Sequence, residues 1–425
     1  MGNCWPANDE GYISILGRRL KVNNRRFIGV LLIIGILLFN GLASCKSPDT
    51  VGEQEKSPDI GGGQEFEVIR QAADAYVNSA KELNIPAKEL YDTMFALIKA
   101  NVTASVSEYQ IEWYDAVQYS EGPLIVDTRG IDTEMPNAYW SGHIPGAFVI
   151  PWRFSADSNN LMKLRKERQI VVYSSTGQTG AQAAAILGVL GYDAVNLMWG
   201  ITSWTSDPEV APGRYAQERD TVWNWGGSFR AVCPISEPTE TYSYPIVENT
   251  KSTDKFEIIQ AAALAYLHSD KPENMPAPEL YHALHFEQIP IPDQYYYFTN
   301  PENPDENPWA VPFILDVRDD ETYLNGHICG TAHVFWKDVF KPENLKRLPP
   351  DRKVLVYSDT GHEAGMVAAL LNLLGYDAIN LKWGITGWSL SLPRQDIAPA
   401  RFNPNTDVQN YPVIKGYQSF LACPT

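Results

Sequence analysis

Two long stretches of this 425-residue chain carry the same signature residues in the same order, and this self-similarity constrains the fold more than any other feature. Phe66-Glu67-Val68-Ile69, with Gln71-Ala72-Ala73, returns as Phe256-Glu257-Ile258-Ile259 with Ala261-Ala262-Ala263, an offset of 190. Pro86-Ala87-Lys88-Glu89-Leu90-Tyr91 returns at the same offset as Pro276-Ala277-Pro278-Glu279-Leu280-Tyr281. Leu124-Ile125-Val126-Asp127-Thr128-Arg129 returns as Phe313-Ile314-Leu315-Asp316-Val317-Arg318, and Trp199-Gly200-Ile201-Thr202 as Trp383-Gly384-Ile385-Thr386. Ser228-Phe229 with Cys233-Pro234 matches Ser419-Phe420 with Cys423-Pro424. The offsets drift by only a few residues, so the insertions lie in loops and the halves share one fold. A chain of this length also exceeds one ordinary core and fits two domains.

Each half opens on helical spacing: Phe66, Ile69, Ala73 and Tyr76, then Leu90, Met94, Leu97 and Ile98 after Pro86. Short β-branched runs follow at 124–128, 147–150, 170–174 and 194–198, and in the second half at 312–317, 353–357 and 378–382. Strands alternating with helices predict an α/β fold in each repeat, a mainly parallel sheet flanked by helices with a helical prelude in front. The segment Ser243–Thr253 joins the repeats, and Thr299–Pro308 reads as a surface loop of the second repeat alone.

One stretch in each half has the form of a site. Val171–Gly177 and Leu355–Gly361 are strands that end on a serine, turn through a glycine and open a helix, expected over Ala181–Leu190 and Ala364–Leu374. Such a turn gathers backbone N–H groups and a helix N-terminus around one point, where α/β folds place anion chemistry. The residue at that point is Ser174 in one copy and Ser358 in the other, with no Cys or Arg in either loop.

The N-terminal region speaks of export. Arg25-Arg26 precede an apolar run from Phe27 to Phe39, followed by Leu42-Ala43-Ser44-Cys45, a positive flank, apolar core and small residues before a cleavage point. The ending resembles the bacterial lipoprotein signal, which implies lipid on Cys45 and anchoring on the outer side of the cytoplasmic membrane. An uncleaved anchor is the competing reading, but the run is short of the roughly 20 apolar residues of a full span and Asn40 interrupts it. The paired arginines alone are a weak signal for twin-arginine export. The 24 residues before Arg25 are long for such a flank and admit a start further along. Residues 46–64 are Ser, Pro, Gly and charge, and read as a flexible tether. The chain carries a net charge of −17 although its leader is basic, so its body repels nucleic acid, which is excluded as a partner.

Taken in order, Asp127/Arg129 and Asp316/Arg318, Gly142-His143-Ile144-Pro145-Gly146-Ala147, Gly326-His327-Ile328-Cys329-Gly330-Thr331, the two serine loops, Gly191-Tyr192-Asp193, Gly375-Tyr376-Asp377 and the Trp-Gly-Ile-Thr segments resemble the rhodanese superfamily. The resemblance covers 105–206 and 295–390. The helical preludes and aromatic tails lie outside the usual domain, and with the leader over 1–45 the self-similarity divides the chain into a first repeat over 65–240 and a second over 250–425. Active members carry a Cys-Arg-x-Gly-x-Arg-Ser loop whose thiolate takes up sulfane sulfur, its pKa lowered by loop N–H groups and basic side chains. Aligned to that loop, this chain reads Ser174-Ser175-Thr176-Gly177-Gln178-Thr179-Gly180 and Ser358-Asp359-Thr360-Gly361-His362-Glu363-Ala364. Serine replaces the cysteine twice, and Ser175, Thr179, Asp359 and Glu363 fill the arginine positions. A hydroxyl oxygen carries no persulfide, and without a base it is a poor nucleophile.

The remaining candidates have plainer readings. His362 is weighed as a base for Ser358 and expected instead to be an exposed loop histidine, since no third group orients it and Gln178 stands in its place in the first repeat. The resemblance gives His143 and His327 structural roles in bonding backbone. Asp127–Arg129 and Asp316–Arg318 are expected to be buried structural ion pairs. Cys329 is expected to be a buried small hydrophobe. Cys233 and Cys423 either bridge the repeats in an oxidising exterior or pack as separate thiols. No Cys or His pair has metal-site spacing, and neither metal nor cofactor is expected. Tyr139-Trp140, Trp223, Trp225 and Tyr295-Tyr296-Tyr297 read as core or inter-repeat filler, or as an exposed aromatic patch.

The expected function is a binding, scaffold or regulatory module of two silent rhodanese-like domains, whose partner is an exported protein or a small anion. The enzyme alternative is a sulfurtransferase or related enzyme using a non-standard residue.

Overall fold

The computed structural model describes residues 63–101, 122–129, 138–212, 239–247, 250–285, 311–389 and 401–415, all within one compact unit, Ser57–Thr425. The leader, nearly all of the tether, the loop Thr299–Pro308, Trp223, Trp225 and Tyr295–Tyr297 lie outside the described residues. No helix among the described residues is long and apolar enough to cross a membrane.

The first repeat runs α1 (Gly63–Val77), β1 (Asn84–Ile85), α2 (Ala87–Asn101), β2 (Leu124–Asp127), β3 (Ala147–Val149), β4 (Ile170–Tyr173), α3 (Gln178–Val189) and β5 (Ala194–Leu197). The second repeats it as α4 (Lys255–Leu267), β6 (Asn274–Met275), α5 (Ala277–His285), β7 (Phe313–Asp316), β8 (Thr331–His333), β9 (Val354–Tyr357), α6 (His362–Leu373) and β10 (Ala378–Leu381). The strands form two five-stranded sheets, ordered β1-β5-β4-β2-β3 and β6-β10-β9-β7-β8, with every pairing parallel. The edge strands β1, β6 and β8 escape the sequence reading; β1 and β6, of two residues each, are too short to show a period. The helix α1 begins at Gly63, inside the segment read as tether.

Alternation along each strand divides the core. In the first sheet Ile125, Val171, Tyr173, Val195 and Leu197 join Leu90 and Met94 of α2 on one face. Val126, Ile170, Val172 and Ala194 point to the other face, where one apolar cluster runs without a break from α1 and α3 to α4, α6 and the second sheet. The repeats therefore share a core, with a helical layer between two sheets. At its centre α3 packs on α6, and Gly365 lets them approach closely, since a Cβ there would lie 3.2 Å from Gln178 O and 3.5 Å from Gln182 Cγ. Neither helix has a polar face, as expected for one surrounded by protein.

The prelude helices reach across. From the first repeat, Arg70 Nη1 donates to Phe340 O (2.9 Å) and Asn78 Nδ2 to Lys337 O (2.9 Å). In return, Gln260 Nε2 of α4 donates to Ala156 O (2.9 Å), and Arg153 Nη1 donates to Leu267 O (3.0 Å) and Ser269 O (2.6 Å) at the end of α4. The segment 409–414, at the far end of the second repeat, lies on the first. Gln409 N donates to Ser203 O (3.0 Å), Tyr411 N to Trp204 O (2.9 Å), and Ile414 forms an antiparallel bridge with His143. Tyr411 also stacks on Tyr91 of α2 at 3.8 Å. The joining segment is packed as well, with Tyr244 stacked on Phe66 at 4.6 Å.

Candidate functional site

The two serine loops stand where the central parallel strands β4 and β9 end. Gly177 (φ +80°) and Gly361 (φ +86°) turn the chain in the left-handed region and start α3 and α6 at once. Gln178 and His362 are thus the first helical residues, earlier than the sequence spacing placed the helices. The Trp-Gly-Ile-Thr segments hold the loops from below: Ile201 N donates to Ser174 O (2.9 Å) and Thr202 N to Ser175 O (3.2 Å), matched by Ile385 N to Ser358 O (2.9 Å) and Thr386 N to Asp359 O (3.2 Å). In the sequence these segments stand out only as family markers.

Each serine hydroxyl occupies the N–H cup of its own loop. Ser174 Oγ accepts from Gly177 N (3.1 Å). Ser358 Oγ accepts from Gly361 N (3.0 Å) and Ala364 N (3.4 Å), and donates to Glu363 Oε2 (3.1 Å). Ser174 is 6% exposed and Ser358 3%, so neither presents a free oxygen to solvent.

The two loops meet each other across the repeats. Gln178 Nε2 donates to Thr360 O (2.9 Å), and Gln178 Oε1 accepts from Asn380 Nδ2 (3.0 Å). In the opposite direction the His362 ring lies with Nδ1 2.8 Å from Thr360 Oγ1 and Nε2 3.3 Å from Thr176 O, and Trp199 N approaches Nε2 at 3.4 Å. His362 is therefore not an exposed loop histidine. It is wholly buried, edge-on to Trp199 at 4.7 Å, and its polar contacts bypass Ser358. Around this junction Asn84 Nδ2 donates to Glu363 Oε1 (3.0 Å), and Asn274 contributes Oδ1 to Asn380 Nδ2 (2.8 Å) and Nδ2 to Thr179 Oγ1 (3.4 Å). The edge-strand asparagines were invisible in the sequence because only the sheet order brings β1 and β6 to the loops. Ser175, Asp359, Thr179 and Glu363 remain half-buried at the rim.

The loops differ in charge. Burial lowers the pKa of His362, so the imidazole is neutral, with neighbouring Glu363 and the Thr176 carbonyl opposing the shift. Asp359 is pushed up to about 7 by burial, with Arg318 pulling the other way and Glu363, Asp316 and Asp319 reinforcing the rise. Arg318 Nη1 and Asp359 Oδ1 face each other at 4.0 Å, and among the described residues neither atom has a hydrogen-bond partner. In the first repeat Ser175 replaces the acid and Arg129 Nη1 donates to Val210 O (2.9 Å).

The flanking residues form scaffolding. Arg129 donates through Nη2 to Asp127 Oδ2 (2.7 Å) and Gly142 O (2.7 Å), while Tyr173 OH donates to Asp127 Oδ2 (2.7 Å). Arg318 repeats this with Asp316 Oδ2 (2.6 Å) and Gly326 O (2.8 Å). Burial works against both guanidinium charges, yet the adjacent carboxylates hold their pKa values above the ordinary one. His143 Nδ1 lies 3.1 Å from Tyr139 O and His327 Nδ1 3.1 Å from Tyr323 O. Tyr139 donates to Ala147 O (2.8 Å) and stacks on His143, whereas Trp140 is exposed. Cys329 corrects the expectation of a buried hydrophobe: it is exposed on an open turn beside Gly330 (φ +78°) and is disulfide-bonded. Cys45, Cys233 and Cys423 lie outside the described residues. Among the described residues no three His, Cys, Asp or Glu side chains converge to hold a metal ion.

The family comparison finds the same repetition. Residues 111–207 and 302–391 each match the family model described as the rhodanese-like domain, and the chain carries two such domains. No curated protein matches it. Among solved structures, a rhodanese-like domain protein from Staphylococcus aureus is 25% identical over 20% of this chain and 81% of its own, with a TM-score of 0.18. A rhodanese-related protein from Thermoplasma volcanium is 20% identical over 29% of this chain and 90% of its own, with a TM-score of 0.20. A thiosulfate sulfurtransferase from Pseudomonas aeruginosa is 15% identical over 77% of this chain and 50% of its own, with a TM-score of 0.24.

Proposed function

We propose that this is an exported protein, anchored to the membrane through lipid on Cys45, whose two rhodanese-like domains are catalytically silent and serve as a binding, scaffold or regulatory module. The observation that carries the silence is the occupant of the two N–H cups. In both it is a serine oxygen already engaged by loop amides, where persulfide chemistry needs a thiolate. Export and anchoring rest on the leader alone, Arg25-Arg26, the apolar run and Leu42-Ala43-Ser44-Cys45. The outer surface, acidic overall, is the contact offered to an exported partner, and its charge disfavours nucleic acid. The enzyme alternative has one contact in its favour, the Ser358–Glu363 hydrogen bond. A carboxylate in that position orients the hydroxyl, but the same oxygen is tied to two amides.

The test compares the full chain with a Ser174→Ala/Ser358→Ala double variant in thiosulfate-to-cyanide sulfur transfer and phosphoester hydrolysis. No turnover above buffer is expected from either. Turnover that disappears in the double variant would make the serines reactive and overturn the reading, and turnover that persists would move the chemistry to a cysteine. Fractionation of cells carrying Cys45→Ala checks the anchor: loss from the membrane fraction is expected, and unchanged membrane retention refutes it.

A further inference from the structure

Loss of sulfur and loss of access are separate properties of these loops. We infer that the two loops are each other's ligand: Gln178 closes the second cup and His362 closes the first, an intramolecular lock that bars solutes from the strand-end face of both domains. The lock does not depend on the proposed silence, since it would shut out a substrate even if a reactive residue stood at 174 or 358.

Four observations carry it. Gln178 is 1% exposed and His362 fully buried, although both are polar and each stands at a helix start beyond a strand end. Both ends of the Gln178 carboxamide are used across the interface, on Thr360 O and Asn380 Nδ2, and both nitrogens of His362 have a polar neighbour. The fit is tight at the turn glycines: a Cβ on Gly177 would lie 2.7 Å from His362 Nε2, and one on Gly361 would overlap Gln178 Oε1. Finally, both plugs are the first residues of long buried helices, so their aim is fixed by α3 packing on α6 rather than by a loop free to move. The plugs differ in type, an amide and a neutral imidazole, but each completes hydrogen bonds that solvent or an anion would otherwise supply.

Isosteric probes test the lock. In Ser174→Cys and Ser358→Cys full-length proteins, alkylation of the introduced thiol by iodoacetamide is followed by peptide mass spectrometry, which separates it from the native cysteines. A buried thiol reacts only in molecules that open, so labelling at least about 100-fold slower than in denaturant is expected. Rates within about threefold of the denatured control overturn the lock. Adding His362→Ala is expected to speed labelling chiefly at position 174, and Gln178→Ala chiefly at 358. Equal acceleration at both sites, or none, overturns the crosswise assignment. Hydrogen exchange of the unmodified protein gives a reading that no variant can spoil: peptides 174–180 and 358–364 are expected to exchange as slowly as β4 and β9, and exchange at loop-like rates refutes closure. Sulfur-transfer assays report on silence and labelling on closure, so either idea can fail alone.

Discussion

Asp359 gives the second loop a half-buried acid that the first loop lacks. Its carboxyl stands where the first repeat has Ser175, buried enough to raise its pKa to about 7, with Arg318 at 4.0 Å pulling against the rise. An acid whose pKa is higher folded than unfolded holds its proton better in the native state. Its contribution to stability is complete below the ordinary value of 3.8 and is lost as pH climbs towards 7. The wild-type protein is therefore expected to lose stability between about pH 4 and 7 through this group, by a few kcal/mol at most, while Asp359→Asn flattens that part of the profile. Thermal melts across the window check it; parallel profiles for the two proteins would show that Asp359 does not titrate there. His362 acts in the opposite sense. Its lowered pKa gives stability that is present above the ordinary histidine value and lost as pH falls. Neither behaviour was legible in the sequence, where Asp359 and His362 look like polar loop residues. Their burial comes from contacts with residues about 40 and 186 positions away.

At the scale of elements, the strands and long helices were legible because each has enough residues to show a period. β2, β4, β5, β7, β9 and β10 fall within the β-branched runs, and Phe66, Ile69, Ala73 and Tyr76 all point into the core from α1. The Trp-Gly-Ile-Thr segments were legible as motifs but not as machinery, since their work is done by backbone. Gly200 shows this best. It adopts φ +54° and ψ −145°, a region open essentially to glycine alone, so that the chain can pass beneath the Ser174 carbonyl and let Ile201 N bond to it. A Cβ there would overlap the Ser174 carbonyl oxygen, which cannot retreat without giving up that bond. Gly200→Ala is expected to cost about 3 kcal/mol in urea denaturation, from backbone strain and the displaced loop together. A loss below about 0.5 kcal/mol, the range of ordinary surface changes, would mean the loop is not held from below in this way.

For the whole molecule, the duplicated sequence reads as two domains in a row, and the sheets confirm two copies of one fold. What periodicity cannot show is how the copies divide their core. The prelude helix of each repeat bonds to the other, segment 409–414 lies on the first repeat, and one apolar cluster spans both sheets. These contacts join residues more than a hundred positions apart, and no local pattern encodes them. A chain so interleaved has no boundary along which half of it can open while keeping its apolar surface covered. The full protein is therefore expected to unfold in a single transition, with tryptophan fluorescence and far-UV circular dichroism giving coincident curves in urea. Gly200→Ala, although confined to the first repeat, should then move the one midpoint for both probes rather than split it. Two resolved transitions, only one of them shifted by the substitution, would show instead that the repeats are independent domains in contact, and that the shared helical layer contributes little to holding them together.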